Sequence, residues 1–367
     1  MHPLIKHSVV FLQTPSDIIQ NKLQNMSTLI GFNHSIANKT TIEHLTHCHQ
    51  FNTTTHFFFI VVYSVLFLVG LLLNGFILRF YFCQPQKTSS TMMVYLKNLT
   101  AADFLLSFSL LFYIINSTSS SMTIRLAYCK VGLAIFYLNI YASILFMTYI
   151  AANRYLKIIH PLKTHILQTV RAACIISAVT WVVLITMVIS YSSVSLVVQH
   201  NSTSVPSSCI DLSSTKRSVL HKVIHSCILA IFLSILIFMV CVYYHTSRKV
   251  SMAQQSQLTS SSTKRLAKAR RNMLVLVSVF CVCFVPYHLI HIPYIFLGCS
   301  RTQVLYLLQE LSLVLSSLNV CLDPFIYFIF CKAFREQLKM KTMFPQGGTT
   351  TQTTERSNSH LSVIGKN

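Results

Sequence analysis

The stretch from Leu311 to Phe330 reads LSLVLSSLNVCLDPFIYFIF, and it is long and apolar enough to cross a membrane as one helix. It nevertheless contains an acid, Asp323, followed directly by Pro324. A carboxylate deep in a bilayer is costly and must face a bundle interior or a wet cavity. A proline removes a helical hydrogen bond and kinks the helix. Because the whole chain has only eight acids, this placement indicates function rather than packing.

The rest of the chain has the composition of a membrane protein. It is 53% hydrophobic and 10% charged, whereas soluble domains average roughly 25% charged residues. Seven runs, called spans one to seven, are long enough to cross about 30 Å of hydrocarbon. They cover residues 57–82, 94–116, 129–157, 172–197, 219–245, 272–297 and 303–330. We therefore predict an all-α membrane protein, a seven-transmembrane helix bundle over residues 57–330.

The segments outside the bundle are assigned by composition. Residues 1–56 are polar and rich in Asn, Thr and His, and we expect a glycosylated N-terminal segment. Residues 331–346 mix basic and apolar side chains, which predicts a short amphipathic eighth helix on the membrane surface. Residues 347–367 are rich in Ser and Thr, which predicts a disordered cytoplasmic tail.

Two independent signals orient the spans. Six N-glycosylation sequons fall on one side of the membrane if the spans alternate: Asn25, Asn33, Asn38, Asn52, Asn116 and Asn201. Of the 29 lysines and arginines, 20 fall on the opposite side, in agreement with the positive-inside rule. We therefore expect an extracellular N-terminus. The net charge of +21 then reflects topology rather than binding to nucleic acid.

Four of the twelve cysteines fall on the extracellular side: Cys48, Cys129, Cys209 and Cys299. An even number in an oxidising compartment predicts two disulfides, for which three pairings are possible. A Cys129–Cys209 bond would hold the loop between spans four and five over the mouth of the bundle. A Cys48–Cys299 bond would then tie the N-terminal segment to the last extracellular loop.

Polar residues in three spans predict a shared site inside the bundle. Asn139 and Ser143 of span three are four residues apart, as are Asn319 and Asp323 of span seven, so each pair shares a helix face. With Asp103 of span two they would form an oxygen-rich pocket that suits a small hard cation such as sodium. The alternative is a set of structural hydrogen bonds between helices. Without a cation, the two acids would repel each other or share a proton.

The motifs, in order and in the right spans, resemble the rhodopsin-like (class A) G-protein-coupled receptors over nearly the whole chain. The matching residues are Asn74, Asp103, Cys129, Asn153-Arg154-Tyr155, Trp181, Tyr243, Phe280, Pro286 and Asp323-Pro324-Phe325-Ile326-Tyr327. The resemblance implies a multi-pass receptor of the plasma membrane that activates a heterotrimeric G protein, of the inhibitory class. It implies no enzymatic activity and no cofactor. Taken alone, Arg154 at the end of span three could simply reach the lipid headgroups.

The resemblance also implies a switch. Arg154 would contact the G protein once span six swings outward on the hinge at Pro286, and Tyr243 and Tyr327 would move inward. Tyr155, Phe284 and Pro324 belong to the same switch motifs. The basic stretch Lys264, Arg265, Lys268, Arg270 and Arg271 would lie at the moving end of span six. Topogenic charge near acidic membrane lipid accounts for this stretch equally well.

Three positions depart from the usual family pattern. Asn153 stands where the family usually has an aspartate, so the resting ion pair with Arg154 cannot form, and we expect raised basal activity. Phe284 replaces a tryptophan, and Asp323 replaces an asparagine. The last two changes occur together in the purinergic nucleotide receptors and their orphan and lipid-sensing relatives.

Within that group the chain most resembles the branch that senses ADP and UDP-sugars. The stretches that carry this likeness are 94–98, 283–288, 292–294 and 319–324, and a Cys48–Cys299 bond also fits the branch. The expected ligand-binding residues are Tyr137, His221, His225, His288, His291, Gln309 and Glu310. At His291 and Gln309 this branch usually carries a basic side chain that binds phosphate.

A histidine-rich pocket leaves the ligand open. A small anion, either a nucleotide or a nucleotide sugar, ranks first by resemblance, and a lysophospholipid follows closely by chemistry. The histidines could also respond to pH or coordinate a metal. No set of residues has catalytic spacing, and no internal repeat indicates a transporter. A receptor-like scaffold that couples poorly, or is constitutively active, is the remaining class, and Asn153 makes it worth testing.

Overall fold

The computed structural model describes residues 53–83, 90–159, 168–200, 215–255, 260–297, 303–331 and 335, and within these ranges the regular structure is helical. The helices are Thr53–Cys83, Thr91–Thr118, Met122–Ala127, Tyr128–Gly132, Leu133–Ile159, Val170–His200, Thr215–Gln255, Ser260–Leu297, Gln303–Ser317 and Asn319–Phe330. Tyr128–Gly132 is a π-helical turn that joins its two neighbours into one continuous rod.

Seven helical stretches in the described part of the chain are long and apolar enough to cross a membrane. This confirms the predicted seven-transmembrane bundle. The stretches are Thr54–Tyr81, Thr91–Thr118, Met122–Ile159, Val170–Tyr191, His221–Gln255, Thr263–Phe296 and Val304–Phe330, and they keep the names spans one to seven.

Spans five and six extend furthest beyond the apolar runs that predicted them. The helix of span five continues to Gln255, and that of span six begins at Ser260 rather than at residue 272. Hydrophobicity measures which residues can lie in lipid, whereas Lys, Arg, Ala and Gln are good helix formers outside it as well. Both helices therefore extend beyond the apolar run.

Span three lies at the centre of the bundle. It packs against spans two, four, five and six, and its residues Ala142, Phe146 and Ile150 are fully buried. The only tryptophan, Trp181 in span four, donates its indole N–H to the side-chain oxygen of Asn98 in span two at 2.8 Å. Spans one and four otherwise direct large apolar side chains outward, as expected for surfaces in contact with lipid.

Span seven is interrupted between its two helices, at Leu318. One turn later Pro324 has no N–H to donate, so the carbonyl of Val320 loses its normal partner within the helix. Asn74 of span one replaces that partner, because its side-chain amide donates to the Val320 carbonyl at 2.8 Å. The proline of span seven is thus accommodated by an asparagine 250 positions earlier in the chain.

Gly70 permits this approach of span one to span seven. A Cβ atom added at Gly70 would lie 2.6 Å from one methyl carbon of Val320 and 3.0 Å from the other. A side chain of any size would therefore force the two helices apart. Gly75, on the same helix, has its nearest such neighbour at 3.8 Å, an ordinary contact with Phe104.

Several predictions from the sequence fall outside the described residues. These are residues 1–52, with sequons Asn25, Asn33, Asn38 and Asn52 and with Cys48; then Asn201, Cys209, Cys299, most of the proposed eighth helix and the tail. Asn116 lies in the last turn of the span-two helix. Cys129 is disulfide-bonded. Its pairing with Cys209 stays a prediction.

Replacing Gly70 by alanine should destabilise the protein by about 1–3 kcal/mol, the usual cost of overpacking. Thermal unfolding of the purified protein in detergent measures this as a lower melting temperature. Gly75→Ala is the matched control and should be neutral or slightly stabilising, because alanine favours helix and meets no close neighbour. The double variant Gly70→Ala/Val320→Ala should recover part of the loss. Equal melting temperatures for the two glycine variants would contradict the close contact.

Candidate functional site

The five polar residues predicted from spans two, three and seven do meet in the bundle. The side-chain amide of Asn139 donates to Asp103 at 3.3 Å and to Ser143 at 3.4 Å. The amide of Asn319 donates to the oxygen of Asn139 at 3.4 Å and to Ser143 at 3.3 Å. The carboxyls of Asp103 and Asp323 lie close enough to interact. All five residues, here called the polar cluster, are essentially inaccessible to solvent.

The hydrogen bonds inside the polar cluster are long. Amide donors in proteins usually approach their oxygen acceptors to about 2.7–3.2 Å, as the amide of Asn74 does at Val320. The spacing inside the cluster is thus wider than direct hydrogen bonds between its members require. One oxygen of Asp103, both of Asp323 and that of Asn319 have no hydrogen-bond partner among the described residues. Buried carboxylate and amide oxygens without partners form a donor set that suits a hard cation.

The C-terminal end of span three carries the predicted switch residues. Asn153 is buried, and neither atom of its side-chain amide has a hydrogen-bond partner in the described part of the chain. The guanidinium of Arg154 lies over the ring of Phe330, 4.7 Å from its centroid. Tyr155 lies beside His245 of span five, with ring centroids 6.5 Å apart. Arg154 is therefore held by a cation–π contact with span seven.

Tyr327, which follows Asp323 by one helical turn, is fully buried below the polar cluster. Its ring lies edge-on to that of Tyr81 of span one, 6.4 Å away. Its hydroxyl has no hydrogen-bond partner among the described residues, although Asp103 and Asp323 lie within electrostatic range. Tyr327 therefore connects the polar cluster to the inner end of the bundle, where Phe330 meets Arg154.

Four histidines predicted for the ligand pocket lie together near the outer end of spans five and six. The rings of His221 and His225 are 4.3 Å apart, and those of His225 and His291 are 4.8 Å apart. Tyr287 stacks on His291 at 4.9 Å and meets His288 edge-on at 5.0 Å. These residues, with Gln309 of span seven, are called the histidine pocket.

Hydrogen bonds fix which ring nitrogens of the pocket carry protons in the neutral state. The Nδ1 of His288 lies 2.8 Å from the carbonyl of Phe284, which only accepts, so Nδ1 donates and Nε2 is left as an acceptor. The amide of Gln309 donates to Nδ1 of His291 at 3.1 Å, so Nε2 of His291 is left as a donor. Both Nε2 atoms are buried without a partner among the described residues.

Two more polar atoms of the pocket are buried and lack a hydrogen-bond partner within the described part of the chain. The side-chain oxygen of Gln309 and the hydroxyl of Tyr287 are buried and have no hydrogen-bond partner in the described ranges. Together with the two histidine nitrogens they are buried donors and acceptors of spans six and seven that have no partner among the described residues. Such buried polar atoms are normally satisfied in a folded protein, and a ligand that enters the pocket would satisfy these.

Gln309 and Glu310, neighbours in sequence, face different surroundings. Gln309 belongs to the histidine pocket through His291. Glu310 instead faces tyrosines of spans one, two, three and seven, namely Tyr63, Tyr113, Tyr128 and Tyr306. Tyr137 lies between the two regions, next to Tyr287. The predicted ligand residues thus divide into a histidine side and a tyrosine side.

Sequence reasoning did not identify Phe232 and Tyr191. Phe232 stacks face to face on His288, with centroids 3.8 Å apart, and Tyr191 bonds through its hydroxyl to His221 at 2.8 Å. Phe232 follows His225 by seven residues and therefore lies on the same face of span five, which was a usable signal. Tyr191 lies in span four, and nothing in the sequence indicates that it reaches span five.

A column of stacked rings runs inward from the pocket. Phe232 stacks on His288 and, on its other side, on Phe280 at 5.8 Å with nearly parallel planes. Phe280 meets Phe284 edge-on at 5.6 Å. Pro286 lies in the same stretch of span six and removes one helical hydrogen bond there. A ligand that displaces His288 would therefore press on the part of span six that bends most easily.

The side chains of the histidine pocket do not form a metal-binding arrangement. No group of three or more His, Cys, Asp or Glu in the described part of the chain is arranged to hold a metal ion. Lys222, at the rim, lies over the ring of Phe296 at 5.4 Å, so one fixed positive charge stands at the entrance.

Comparison with known proteins supports the family resemblance of the sequence motifs. The family model described as "7 transmembrane receptor (rhodopsin family)" matches residues 73–327. Purinoceptor 14 from Bos taurus is 34% identical over 77% of this chain and 84% of its own length. G-protein coupled receptor 87 from Mus musculus is 30% identical over 77% of this chain and 79% of its own length. Purinoceptor 13 from Homo sapiens is 29% identical over 91% of both chains.

Proposed function

Because this chain belongs to the rhodopsin family of seven-transmembrane receptors, we propose that it is a receptor for a nucleotide or a nucleotide sugar. As a member of that family it is a G-protein-coupled receptor rather than an enzyme. The proposal extends to the plasma membrane as its location, to an extracellular N-terminus and to a G protein of the inhibitory class.

The unpaired polar atoms of the histidine pocket are the observation that carries the ligand assignment. Two neutral histidines, Gln309 and Tyr287 offer donors and acceptors of mixed kind, as a base and a sugar would require. The stacked rings around them suit a flat heterocycle. Two of the relatives are named purinoceptors, which favours a nucleotide-type ligand.

The charge of the ligand is matched at the rim rather than in the depth of the pocket. Lys222 is a described basic side chain at the entrance, and the buried lining carries His291 where a basic residue would bind phosphate directly. A ligand of lower charge, such as a nucleotide sugar with its phosphates near the rim, therefore fits better than a triphosphate. A lysophospholipid, with one phosphate and an acyl chain, is the second candidate, because the pocket is lined mainly by rings.

We propose that the polar cluster holds a sodium ion. Asp103, Asp323 and Asn319 supply the unpaired oxygens, and Asn139 and Ser143 complete the set. The long hydrogen bonds of the cluster favour this proposal over a purely structural network. The ion would supply positive charge between two carboxylates that have no basic side chain near them in the described bundle.

A gain of function tests the ligand assignment. His291→Arg places a permanent cation in the histidine pocket, so the variant should respond to ADP or UDP-glucose at concentrations at least about ten-fold lower than the wild type. The measurement is agonist-stimulated GTP exchange in membranes, with a panel of nucleotides, UDP-sugars and lysophospholipids. The matched control is His56→Arg, which adds the same charge at an exposed position of span one, outside the histidine pocket. A lysophospholipid response that both proteins share, with no nucleotide response in either, would contradict the proposal.

Basal activity tests the role of Asn153. The Asn153→Asp variant gives the buried amide position a carboxylate beside Arg154, which should pair with it and stabilise the resting state. We expect GTP exchange without ligand to fall by a few-fold, while exchange with a saturating ligand changes less. Asn153→Ala, which removes the amide without adding charge, should leave the basal rate near that of the wild type. Equal basal rates for the wild type and the aspartate variant would show that no resting ion pair forms.

A further inference from the structure

The ends of spans five and six that meet at Tyr243 and Lys264 form an open recess of about 550 Å³. Its volume lies within the roughly 300–1,000 Å³ that is usual for small-molecule sites. The lining consists of Tyr243 of span five and, from span six, Lys264, Ala267, Lys268, Arg270, Arg271 and Leu274. Four of the seven lining residues are therefore cations.

The cations are arranged by helical spacing. Lys264, Lys268 and Arg271 follow one another at intervals of four and three residues, so they form a row along one face of span six. These three side chains are exposed, and Arg270 is half-buried. Arg265, which lies in the same turn, points elsewhere and does not line the cavity. The positive charge is thus concentrated in a defined recess rather than spread evenly round the helix.

Among the described residues, no acidic side chain neutralises this recess. The acids in the described part of the chain are Asp103, Glu310 and Asp323, and all three lie inside other spans. Over the whole sequence, Glu336 and Glu355 are the acids on the predicted cytoplasmic side, against 20 lysines and arginines. The four clustered cations therefore repel one another unless an anion binds among them.

The position of the recess selects the kind of anion. Below the basic row, Leu274 is 45% exposed and begins the apolar part of span six. A ligand that occupies the recess would meet charge at the level of the lipid headgroups and apolar surface directly beneath. A soluble anion gains nothing from Leu274, whereas the acyl chain of a lipid does.

We propose that this recess is a binding site for a polyphosphorylated lipid headgroup of the inner leaflet. The phosphates contact Lys264, Lys268, Arg270 and Arg271, the hydroxyl of Tyr243 donates to one of them, and the acyl chains run past Leu274. This lipid site rests on the proposed function, which places these ends of spans five and six on the cytoplasmic side of the membrane. The proposal goes beyond a general attraction to acidic membrane lipid, because it assigns one class of headgroup to one defined recess.

Binding there would join the ends of spans five and six. Tyr243 belongs to span five and the cations to span six, so one headgroup bridges the two helices. The side chain of Asn153 forms no hydrogen bond with Arg154. The bound lipid would therefore stabilise the resting packing of spans five and six in place of that contact. Removing the lipid should raise basal GTP exchange.

Lipid retention by the purified full-length receptor in nanodiscs tests the site. The discs contain phosphatidylcholine with a small fraction of either phosphatidylinositol 4,5-bisphosphate or phosphatidylserine, and bound lipid is counted by native mass spectrometry. The variant is Lys264→Gln/Lys268→Gln. The matched control is Arg248→Gln/Arg265→Gln, which removes two cations at the same level but outside the lining.

A general surface field contributes roughly five-fold in affinity for each basic side chain, wherever it lies. Under that field alone, both double variants would lose the bisphosphate lipid equally, and this result would overturn the proposal. We expect the Lys264→Gln/Lys268→Gln variant to lose about ten-fold more than the control. The wild type should also prefer the bisphosphate lipid over phosphatidylserine. Equally tight binding of soluble inositol 1,4,5-trisphosphate would overturn the assignment to a lipid. Glycosylation of the sequons in cells tests the orientation separately. A wrong orientation can therefore be distinguished from a wrong lipid site.

Discussion

Two carboxylates enclosed in the middle of the bundle, Asp103 and Asp323, constrain the rest of the structure. Both are buried, and in a membrane no basic side chain among the described residues balances their charge. Spans two, three and seven therefore turn their polar faces toward one point, where Asn139, Ser143 and Asn319 surround the acids. The rest of each span is then free to present apolar side chains to neighbouring helices and to lipid.

The backbone around Asp323 shows how this arrangement is tolerated. Pro324 leaves the Val320 carbonyl without a helical partner, and Asn74 supplies one from span one. Gly70 allows the two helices to come close enough for that bond. The proline of span seven thus has a specific compensating residue in span one, which is the arrangement expected of a segment kept for function rather than for stability.

The polar cluster lies between the two ends of the bundle that would communicate in a receptor. Toward the outer end, His288 joins the column of rings that includes Phe232 and Phe280. Toward the inner end, Tyr327 leads to Phe330 and so to Arg154. Because packed cores change between discrete arrangements rather than deform continuously, a small shift of His288 can be passed inward through these contacts.

Much of this could be predicted from the sequence, and the reason differs from feature to feature. The spans follow from hydrophobic length, and the polar cluster follows from the spacing of four residues between Asn139 and Ser143 and between Asn319 and Asp323. Both are properties of a single helix. The bond from Asn74 to Val320 and the contact of Tyr191 with His221 were not predicted, because they depend on which helices become neighbours. The inner extension of span six was missed since charge ends a hydrophobic run without ending a helix.

Thermal unfolding of the purified receptor in sodium chloride and in choline chloride of equal ionic strength tests the central claim, that a cation balances the two buried carboxylates. The wild type should be more stable in sodium, by about 2.7 kcal/mol once sodium exceeds its dissociation constant a hundred-fold. Asp103→Asn should abolish the difference, whereas Glu310→Gln, which neutralises another acid inside the bundle, should retain it. Equal stability of the wild type in the two salts would contradict the claim and would indicate that Asp103 and Asp323 share a proton instead.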